Sequence, residues 1–462
     1  MVGSLSEPQG RRHNPPKDNL QKPKAGNGIS AIAKYLTGTE LTESCRWDEV
    51  LAEVRKLFSV EVADDVLIPS IRDMKVSELI SKFRECFIID VLGQELAEAV
   101  KWLEHVNAEL NILSARYRLS GYSLPREFKS FRENPLAHLK KKIFIYVYDY
   151  ARGKIGLKEL VKKSSSAAYT SLRTNMRSAY QVWGFSAILN YLFEEGYGMH
   201  FPEHKYLTID RAGKQKQGKI PPNTVLFNPK KGFISFFYEA PRPLSWEDSE
   251  DLRAVWSLYT TLRPDMMVYS GKVMDIVELG SNPPVKRPNM LVEFKELTDW
   301  YERSRDLKSY FKKNPLTAEE WRSKWLSGLY TGLADALGVK KSEIRKSVEE
   351  GRPLRIKEYK LVQVYTSLYK PMKTFLVSRT KVPQAIRSEL ENSGIEVVDG
   401  VGFDRKKLKP VAETIESYSS FLGADYVTVD LPVSTVIKLV EYAERVGLKD
   451  LANAVEELLK NA

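Results

Sequence analysis

The sequence predicts an α/β protein in which a mixed β-sheet core is flanked by a helical N-terminal domain and a helical C-terminal segment. Apolar residues recur at helical spacing from Ile29 to about Lys163, the apolar period changes to two in the middle of the chain, and helical spacing returns from Pro410. At 462 residues the chain exceeds the length at which a single hydrophobic core stops growing. We therefore expect more than one domain.

The N-terminal third is predicted to be an arm followed by helices. Residues 1–28 are polar, rich in proline and glycine and almost free of large apolar side chains, which predicts a disordered basic arm. Residues 29–165 carry amphipathic stretches such as WDEVLAEVRKLF and form the predicted helical domain. The run from Ser164 to Ser166 is interpreted as the break that ends this domain, and the next helix is predicted to begin near Tyr169.

Residues 166–405 are predicted to hold the sheet. The stretches TVLFNP, GFISFFYEA, RPDMMVY, VMDIVEL and MLVEFKEL have the short apolar or alternating patterns typical of strands, whereas LRAVWSLYTTL is ambiguous. A helical stretch follows from Trp300 to about Val348. Then KLVQVY and KTFLVSR are predicted strands, ahead of another helix and the strand IEVVDGV. Residues 406–462 are the predicted C-terminal helical segment.

The composition favours a polyanionic partner and argues against a membrane span. Lys and Arg outnumber Asp and Glu by 71 to 60, which gives a net charge of +11 and favours nucleic acid. No apolar run is long enough to cross a bilayer, and the N-terminus lacks an apolar signal region, so we expect a cytoplasmic protein. Cys45 and Cys86 are too few for a four-thiolate metal site, and we expect free thiols.

Two clusters of positive charge are candidates for nucleic-acid binding. The first lies in GKQKQGK, and the second lies in GLADALGVKKSEIRK, where Ala334, Gly338 and Ile344 have the spacing of a helix-turn-helix. The same spacing also fits two ordinary helices joined at a glycine cap, which is the commoner arrangement. The tentative nucleic-acid-binding residues are Lys214, Lys216, Lys219, Lys340, Lys341 and Arg345.

Charged residues interrupt two of the predicted apolar strands. Asp265 follows Pro264 in RPDMMVY, and 28 residues after it MLVEFKEL places Glu293 and Lys295 two apart. Because residues two apart on a strand face the same way, Glu293 and Lys295 share one face of the predicted strand. Charges among apolar neighbours are costly unless they pair or bind a metal. Two carboxylates on neighbouring strand ends suit a divalent cation, and a lysine beside them suits metal-assisted phosphodiester hydrolysis.

This pattern resembles the PD-(D/E)xK, or restriction-endonuclease-like, nuclease superfamily. Pro264-Asp265 matches the first half of the family motif, and Glu293-Phe294-Lys295 matches the second. The predicted order of elements is also similar to the family core of helix, three-stranded meander, helix and strand, with KLVQVY as the fourth strand. The resemblance implies a metal-dependent nuclease in which Asp265 and Glu293 bind Mg²⁺ or Mn²⁺ and Lys295 positions the hydrolytic water. The predicted substrate is nucleic acid, and DNA is favoured over RNA.

Three other interpretations stay open. Family members often carry an acidic residue on the leading helix, where this chain has Gln181, with Glu194 and Glu239 as poor substitutes. An inactive nuclease-like fold that binds nucleic acid or acts as a scaffold is therefore the main alternative. Glu293 and Lys295 also fit a simple salt bridge on an exposed face. The amphipathic C-terminal helices suit a protein partner, which allows an interaction adaptor as a third interpretation.

Overall fold

The structure is a computed structural model. It describes residues 47–58, 74–210, 219–240, 263–278, 281, 283, 285–306, 320–352, 354–423, 431–448 and 450–460. The predicted basic arm, Lys214, Lys216 and the ambiguous stretch LRAVWSLYTTL lie outside these residues. The chain divides into two compact units, the first made of residues 1–101 and 129–174 and the second of residues 102–128 and 175–462.

Helices occupy most of the described N-terminal part of the chain. They are α1 Trp47–Phe58, α2 Met74–Arg116, α3 Arg126–Glu133, α4 Pro135–Lys142, α5 Phe144–Ala151 and α6 Leu157–Glu194. In the first unit, Trp47 of α1 packs edge-on against Phe83 and Phe87 of α2. The hydroxyl of Tyr169 on α6 donates a hydrogen bond to the carbonyl of Val91 on α2. Aromatic contacts and this bond therefore join α1, α2 and α6 within the first unit.

Two expectations for this region are wrong. The run from Ser164 to Ser166 is not a break, because α6 continues through it, and Ser164 is fully buried, where its small side chain is accommodated in the packing. The two compact units divide α6 further on, between Thr174 and Asn175. Cys86 is not a free thiol: it is buried on α2 and disulfide-bonded, and its partner lies outside the described residues.

A seven-stranded mixed sheet forms the centre of the second unit, which confirms the predicted α/β class with a mixed sheet. The described strands are β1 Gly121–Ser123, β2 Gly198–Phe201, β3 Tyr206–Thr208, β4 Thr224–Asn228, β5 Gly232–Tyr238, β6 Met266–Ser270, β7 Met290–Lys295, β8 Ser304–Asp306, β9 Arg355–Lys357, β10 Lys373–Ser378 and β11 Ile395–Val398. The sheet order is β11-β10-β7-β6-β5-β4-β2. Neighbours from β2 to β7 are antiparallel, whereas β7, β10 and β11 run parallel.

Helices complete the second unit and supply its parallel connections. They are α7 Glu320–Leu337, α8 Lys341–Glu349, α9 Glu358–Tyr369, α10 Gln384–Asn392, α11 Lys409–Ser417, α12 Val433–Arg445 and α13 Leu451–Lys460. Parallel strands cannot be joined by a tight hairpin, so the chain between β7 and β10 includes α7, α8 and α9, and α10 joins β10 to β11.

Strand β7 lies between helices on both of its faces. Phe294 packs against α6, where its ring is 6.3 Å from that of Tyr180 and leaves no room for a side chain at Gly184. On the other face, Leu291 belongs to a buried cluster that includes Leu361 and Tyr365 of α9. Both faces of the sheet are therefore covered, as in a three-layer α/β/α arrangement.

The stretch KLVQVY is helical, so its assignment as the fourth strand of the meander is wrong. It lies in α9, and the strand that runs beside β7 is β10, formed by KTFLVS. Leu361, Tyr365 and Leu368 of α9 pack into one buried cluster, whereas Tyr359 and Val362 pack into another. Because the helix is buried on two sides, its apolar residues also alternate in the way that suggested a strand.

The stretch VMDIVEL does not form the predicted strand. Among the described residues it makes a single bridge, between Val277 and Val285. Asp275 instead accepts hydrogen bonds from the backbone N–H groups of Ile220 and Val277, at 2.9 and 3.0 Å. An aspartate that binds backbone N–H groups in this way favours a turn over a ladder.

The prediction that a helix starts at Trp300 is also wrong. Trp300 is buried in a turn, and its indole N–H donates to the hydroxyl of Ser378 at 3.2 Å. The chain then enters the short strand β8, and the next described helix begins only at Glu320. The need to bury this indole next to β10 outweighs the helical spacing of the surrounding residues.

The C-terminal helices α12 and α13 pack on each other through small residues. Ala443 and Ala454 are buried there, while Ile437 and Leu459 are 52% and 71% exposed. The protein partner expected at these helices stays a prediction. In the described part of the chain, none of the helices combines the length and the apolar character that crossing a bilayer requires.

Candidate functional site

Asp265 and Glu293 lie side by side where two interior strands of the sheet, β6 and β7, meet at their ends. The register of β6 and β7 pairs Met266 with Val292, so Asp265, one residue before β6, comes opposite Glu293. The backbone N–H of Asp265 donates to Oε2 of Glu293 at 3.1 Å, and the N–H of Phe294 donates to Oδ2 of Asp265 at 2.8 Å. Each carboxylate is therefore held by the backbone of the neighbouring strand.

Lys295 lies beside Glu293 and also approaches a second carboxylate. Its Nζ is 2.9 Å from Oε1 of Glu293 and 3.5 Å from Oε2 of Glu358, the first residue of α9. Lys295 and Glu293 are 7% and 5% exposed, so both charges are inside the protein. Burial tends to lower the pKa of Lys295, but Glu293 and Glu358 outweigh it and hold that pKa above its usual value. The lysine is therefore a fixed positive charge at neutral pH.

Gln181 of α6 completes the contacts of Asp265. Its side-chain Nε2 donates a hydrogen bond of 2.6 Å to Oδ1 of Asp265, and the glutamine is 4% exposed. Asp265 thus accepts one hydrogen bond at each oxygen. The position at which an acidic residue was expected instead supplies a neutral donor to the site.

The candidate site carries more negative than positive charge. Asp265, Glu293 and Glu358 surround the single ammonium group of Lys295. Burial, followed by the charge of Glu293, raises the pKa of Asp265 well above its ordinary range, and Lys295 offsets this only in part. A cation bound between the carboxylates would relieve this repulsion.

The donor set suits a hard divalent cation. Asp265 and Glu293 offer buried carboxylate oxygens on adjacent strands, which is the ligand type that Mg²⁺ and Mn²⁺ take. Across the described residues, no three His, Cys, Asp or Glu side chains are grouped as a ready metal cage. A cation here would therefore take two protein carboxylates and complete its shell with water or substrate oxygens, as Mg²⁺ commonly does.

Two arginines surround the residue that follows Lys295. Glu296 is 3% exposed, and its Oε1 is 3.5 Å from Nε of Arg177 on α6. Arg379, just after β10, donates from Nε to the carbonyl of Glu296 at 2.7 Å. Its guanidinium also lies over the ring of Trp102, 4.5 Å from the ring centre. Glu296 is therefore both buried and ion-paired with Arg177.

The described basic residues among the predicted nucleic-acid contacts lie on the surface. Lys219, Lys340, Lys341 and Arg345 are all exposed. Lys341 hydrogen-bonds to Ser327 of α7, and Arg345 forms an ion pair with Glu349 one turn along α8. These two side chains therefore have local partners on the helices.

Of the two acidic residues that were considered as substitutes for Gln181, Glu194 lies away from the candidate site and Glu239 lies next to it. Glu194 lies at the end of α6, where it pairs with Arg116 and Arg405 and takes no part in the candidate site. Glu239 follows β5 and is buried, and its backbone N–H donates to the carbonyl of Asp265 at 2.7 Å. Glu239 therefore lies next to the site.

Sequence reasoning missed the part that α9 has in the site. Glu358 was not singled out, because its segment was interpreted as the approach to a strand and no motif marks it. The signal was present in KEYKL: a glutamate in the first turn of a helix is a common feature, and α9 begins there. Its contact with Lys295 spans 63 residues, a distance that local patterns do not reveal.

Comparison of the chain with protein-family models, with curated proteins and with solved structures yields no match in any of the three.

Proposed function

We propose that this protein is a metal-dependent nuclease that hydrolyses phosphodiester bonds of nucleic acid, with a restriction-endonuclease-like core. The observation that carries the proposal is the meeting of Asp265, Glu293 and Lys295 at one sheet edge, inside the protein. The strand order adds support, since β5, β6 and β7 form a meander and β10 lies beside β7 after a helical connection. That is the order of helix, meander, helix and strand expected of the family.

Each residue has a chemical role in this proposal. Asp265 and Glu293 hold the cation through carboxylate oxygens. When bound, the cation supplies a Lewis acid that offsets the negative charge developing on the phosphate. Lys295 stays protonated, so it orients the attacking water and donates a hydrogen bond. Glu293 and Glu358 keep this ammonium group in place. Asp265, Glu293 and Lys295 are all buried, which keeps bulk water away from their charges and strengthens the interactions between them.

The preferred substrate is DNA, and the net charge of +11 supports a polyanionic partner. Lys and Arg contacts to phosphates release counterions, so binding should weaken steeply with salt. Binding that is absent at low salt, or that does not change between low and moderate salt, would count against nucleic acid as the partner. A cytoplasmic location is part of the same proposal.

One observation favours a second candidate, an inactive protein of the same fold that binds nucleic acid. Gln181 occupies Oδ1 of Asp265 with a hydrogen bond of 2.6 Å, and the backbone N–H of Phe294 occupies Oδ2. A cation would have to share these oxygens with existing donors. The presence of Asp265, Glu293 and Lys295 together weighs against this alternative.

A cleavage panel tests both candidates. Purified protein is incubated with labelled single-stranded, duplex and branched DNA and with RNA, in Mg²⁺, in Mn²⁺ and in EDTA, beside the Lys295→Ala variant. Cleavage that needs the divalent cation and disappears in the variant supports the nuclease. Salt-sensitive binding without cleavage of any substrate supports the inactive alternative, and cleavage that survives Lys295→Ala would mean that the chemistry lies elsewhere.

A further inference from the structure

Arg177 and Arg379 converge on the residue next to Lys295. Arg177 approaches the carboxylate of Glu296 from α6, and Arg379 donates to its carbonyl from the end of β10. The backbone N–H of Arg379 also donates to the carbonyl of Lys295 at 2.9 Å. Both guanidinium groups therefore contact Glu296, the residue that directly follows the candidate site on the chain.

We propose that Arg177 and Arg379 form a subsite for a phosphodiester group of a nucleic-acid strand, adjacent to the phosphate at Asp265, Glu293 and Lys295. The proposal rests on the proposed function, because it places the subsite along the strand that the candidate site would cleave. A guanidinium presents several donors in a plane that matches the oxygens of a phosphate.

Arg379 has the fixed geometry that such a subsite needs. Its Nε is bound to the carbonyl of Glu296, and its guanidinium lies 4.5 Å from the centre of the Trp102 ring. Stacking on an indole and a short hydrogen bond restrict the rotamers of the arginine before any ligand arrives. Less side-chain entropy is then lost when a phosphate binds.

Arg177 is the more exposed of the two arginines. Its side chain is 45% exposed, and its Nε is 3.5 Å from Glu296. The Oε1 atom of Glu296 is buried and accepts no hydrogen bond, so the contact between the two residues is an ion pair alone. A phosphate offers oxygens that can accept charge-assisted hydrogen bonds from the same guanidinium. A phosphate at the exposed end of Arg177 would therefore be a further acceptor beside Glu296, whose buried carboxylate keeps its ion pair.

The position of Arg177 on α6 links the subsite to the candidate site. Arg177 and Gln181 are four residues apart, so their side chains leave the same side of the helix. Gln181 contacts Asp265, and Arg177 contacts Glu296. A strand that lies along this side of α6 would pass both the cleaved phosphate and its neighbour.

The test measures binding in the absence of hydrolysis. A short fluorescein-labelled DNA duplex and its single strand are titrated in EDTA at several salt concentrations, with fluorescence anisotropy as the readout. Arg177→Gln leaves the buried Glu296 without this cation, so thermal unfolding must first show that the variant is folded at the assay temperature. We then expect it to weaken binding about fivefold to tenfold and to reduce the salt slope by about one, because one phosphate contact is lost. The matched control is Arg445→Gln on α12, which removes the same charge from an exposed position and should change affinity less than about twofold.

A second variant and a modified ligand sharpen the result. Arg379→Lys keeps the charge but loses the planar fork, so it should weaken binding several-fold with the salt slope unchanged, provided that thermal unfolding shows an intact fold. DNA with one neutral methylphosphonate is then scanned along the strand. One position should weaken binding by wild type and leave the Arg177→Gln variant unaffected, as expected when the two changes remove the same contact.

The outcomes separate this subsite from the nuclease proposal. Loss of affinity in Arg177→Gln without any cleavage by wild type would support the subsite and overturn the nuclease. Metal-dependent cleavage together with unchanged affinity in Arg177→Gln would overturn the subsite alone. The subsite is also overturned if Arg445→Gln weakens binding equally, if wild type binds no DNA, or if polyglutamate competes as well as DNA does. The last result would indicate an acidic protein partner.

Discussion

Gln181 Nε2 donates a hydrogen bond of 2.6 Å to Oδ1 of Asp265, although the two residues are 84 positions apart. An amide at this position adds no charge to a site that already contains buried carboxylates. It also fixes the orientation of the Asp265 side chain from the α6 side. The residue at position 181 therefore controls how much negative charge a divalent cation would meet.

Gln181→Glu should strengthen divalent-cation binding. A third carboxylate oxygen beside Asp265 is expected to tighten Mn²⁺ or Mg²⁺ binding about tenfold, and to lower the stability of the metal-free protein through like-charge repulsion. Isothermal titration calorimetry measures the first effect and thermal unfolding in EDTA the second. Gln181→Leu is the control, because it removes the hydrogen bond without adding charge. Unchanged or weaker cation binding in Gln181→Glu would contradict a metal site at Asp265.

Lys295→Ala should abolish cleavage and leave nucleic-acid binding nearly intact. Removing the ammonium leaves the buried Glu293 without its cation, so we also expect a loss of about 3–5 kcal/mol in unfolding free energy in EDTA. Mg²⁺ should restore part of it, since a cation can replace the lost charge. Lys381→Ala, at a side chain that is 84% exposed, is the matched control and should cost less than about 1 kcal/mol. Equal stability of the two variants would contradict the buried ion pair.

Asp265 should make the metal-free protein less stable as the pH rises. Burial and Glu293 raise its folded-state pKa well above the unfolded value of about 3.9. Below the unfolded value both states are protonated. As the pH rises from there through the folded pKa, the unfolded chain loses its proton first and stability falls. Asp265→Asn should remove this dependence, and so should saturating Mg²⁺ in wild type. Urea unfolding across this pH range in EDTA measures it, and parallel profiles for wild type and Asp265→Asn would refute the assignment.

Gly184→Ala should distort the site through packing. A Cβ at Gly184 would overlap the ring of Phe294, whose backbone N–H binds Asp265. The overlap is expected to cost about 1–3 kcal/mol or more and to reduce cleavage. Gly93→Ala on α2 is the control, because nothing lies within 4 Å of a Cβ there. That change should stabilise the protein by about 0.5–1 kcal/mol. Two variants with the same melting temperature would show that α6 and β7 are not packed this closely.

Reduction should lower the melting temperature. Cys86 is disulfide-bonded, and a disulfide typically contributes about 2–4 kcal/mol. Thermal unfolding with and without a phosphine reductant measures the loss, and a thiol assay in denaturant should detect no free thiol before reduction. Two free thiols in protein purified without reductant would restore the original expectation for Cys45 and Cys86. Disulfides are rare in most cytosolic proteins, so the same assay bears on the predicted location.

The two strands of the candidate site, β6 and β7, could be predicted because each is a short run of mostly apolar residues in the sequence. The apolar runs around Asp265 and Glu293 match β6 and β7, and the proline before Asp265 marks the start of the strand. The fourth strand could not be placed in the same way. The helix α9 is buried on two sides, so its polar face is narrow, and its apolar residues were interpreted as a strand.

The contacts that tune the site were out of reach of any local pattern. Glu358 and Gln181 reach Lys295 and Asp265 from helices on opposite faces of the sheet, 63 and 84 residues away in sequence. Only the packing of α6 and α9 on β7 brings them together. Trp300 shows the same limit, because a need for burial at Ser378 overrides helical spacing in the residues around it.

The reciprocal bonds between Asp265 and β7 imply that pairing register, not chain length, sets the separation of the two carboxylates. A slip of β6 by one residue would break both bonds and turn the carboxylates to opposite faces. Lengthening the connection between β6 and β7 would leave them facing each other. Distant relatives are therefore best sought with the two half-motifs scored separately and the interval between them left free. The interval of 28 residues in this chain is then a property of its connecting loop and carries no information about the chemistry.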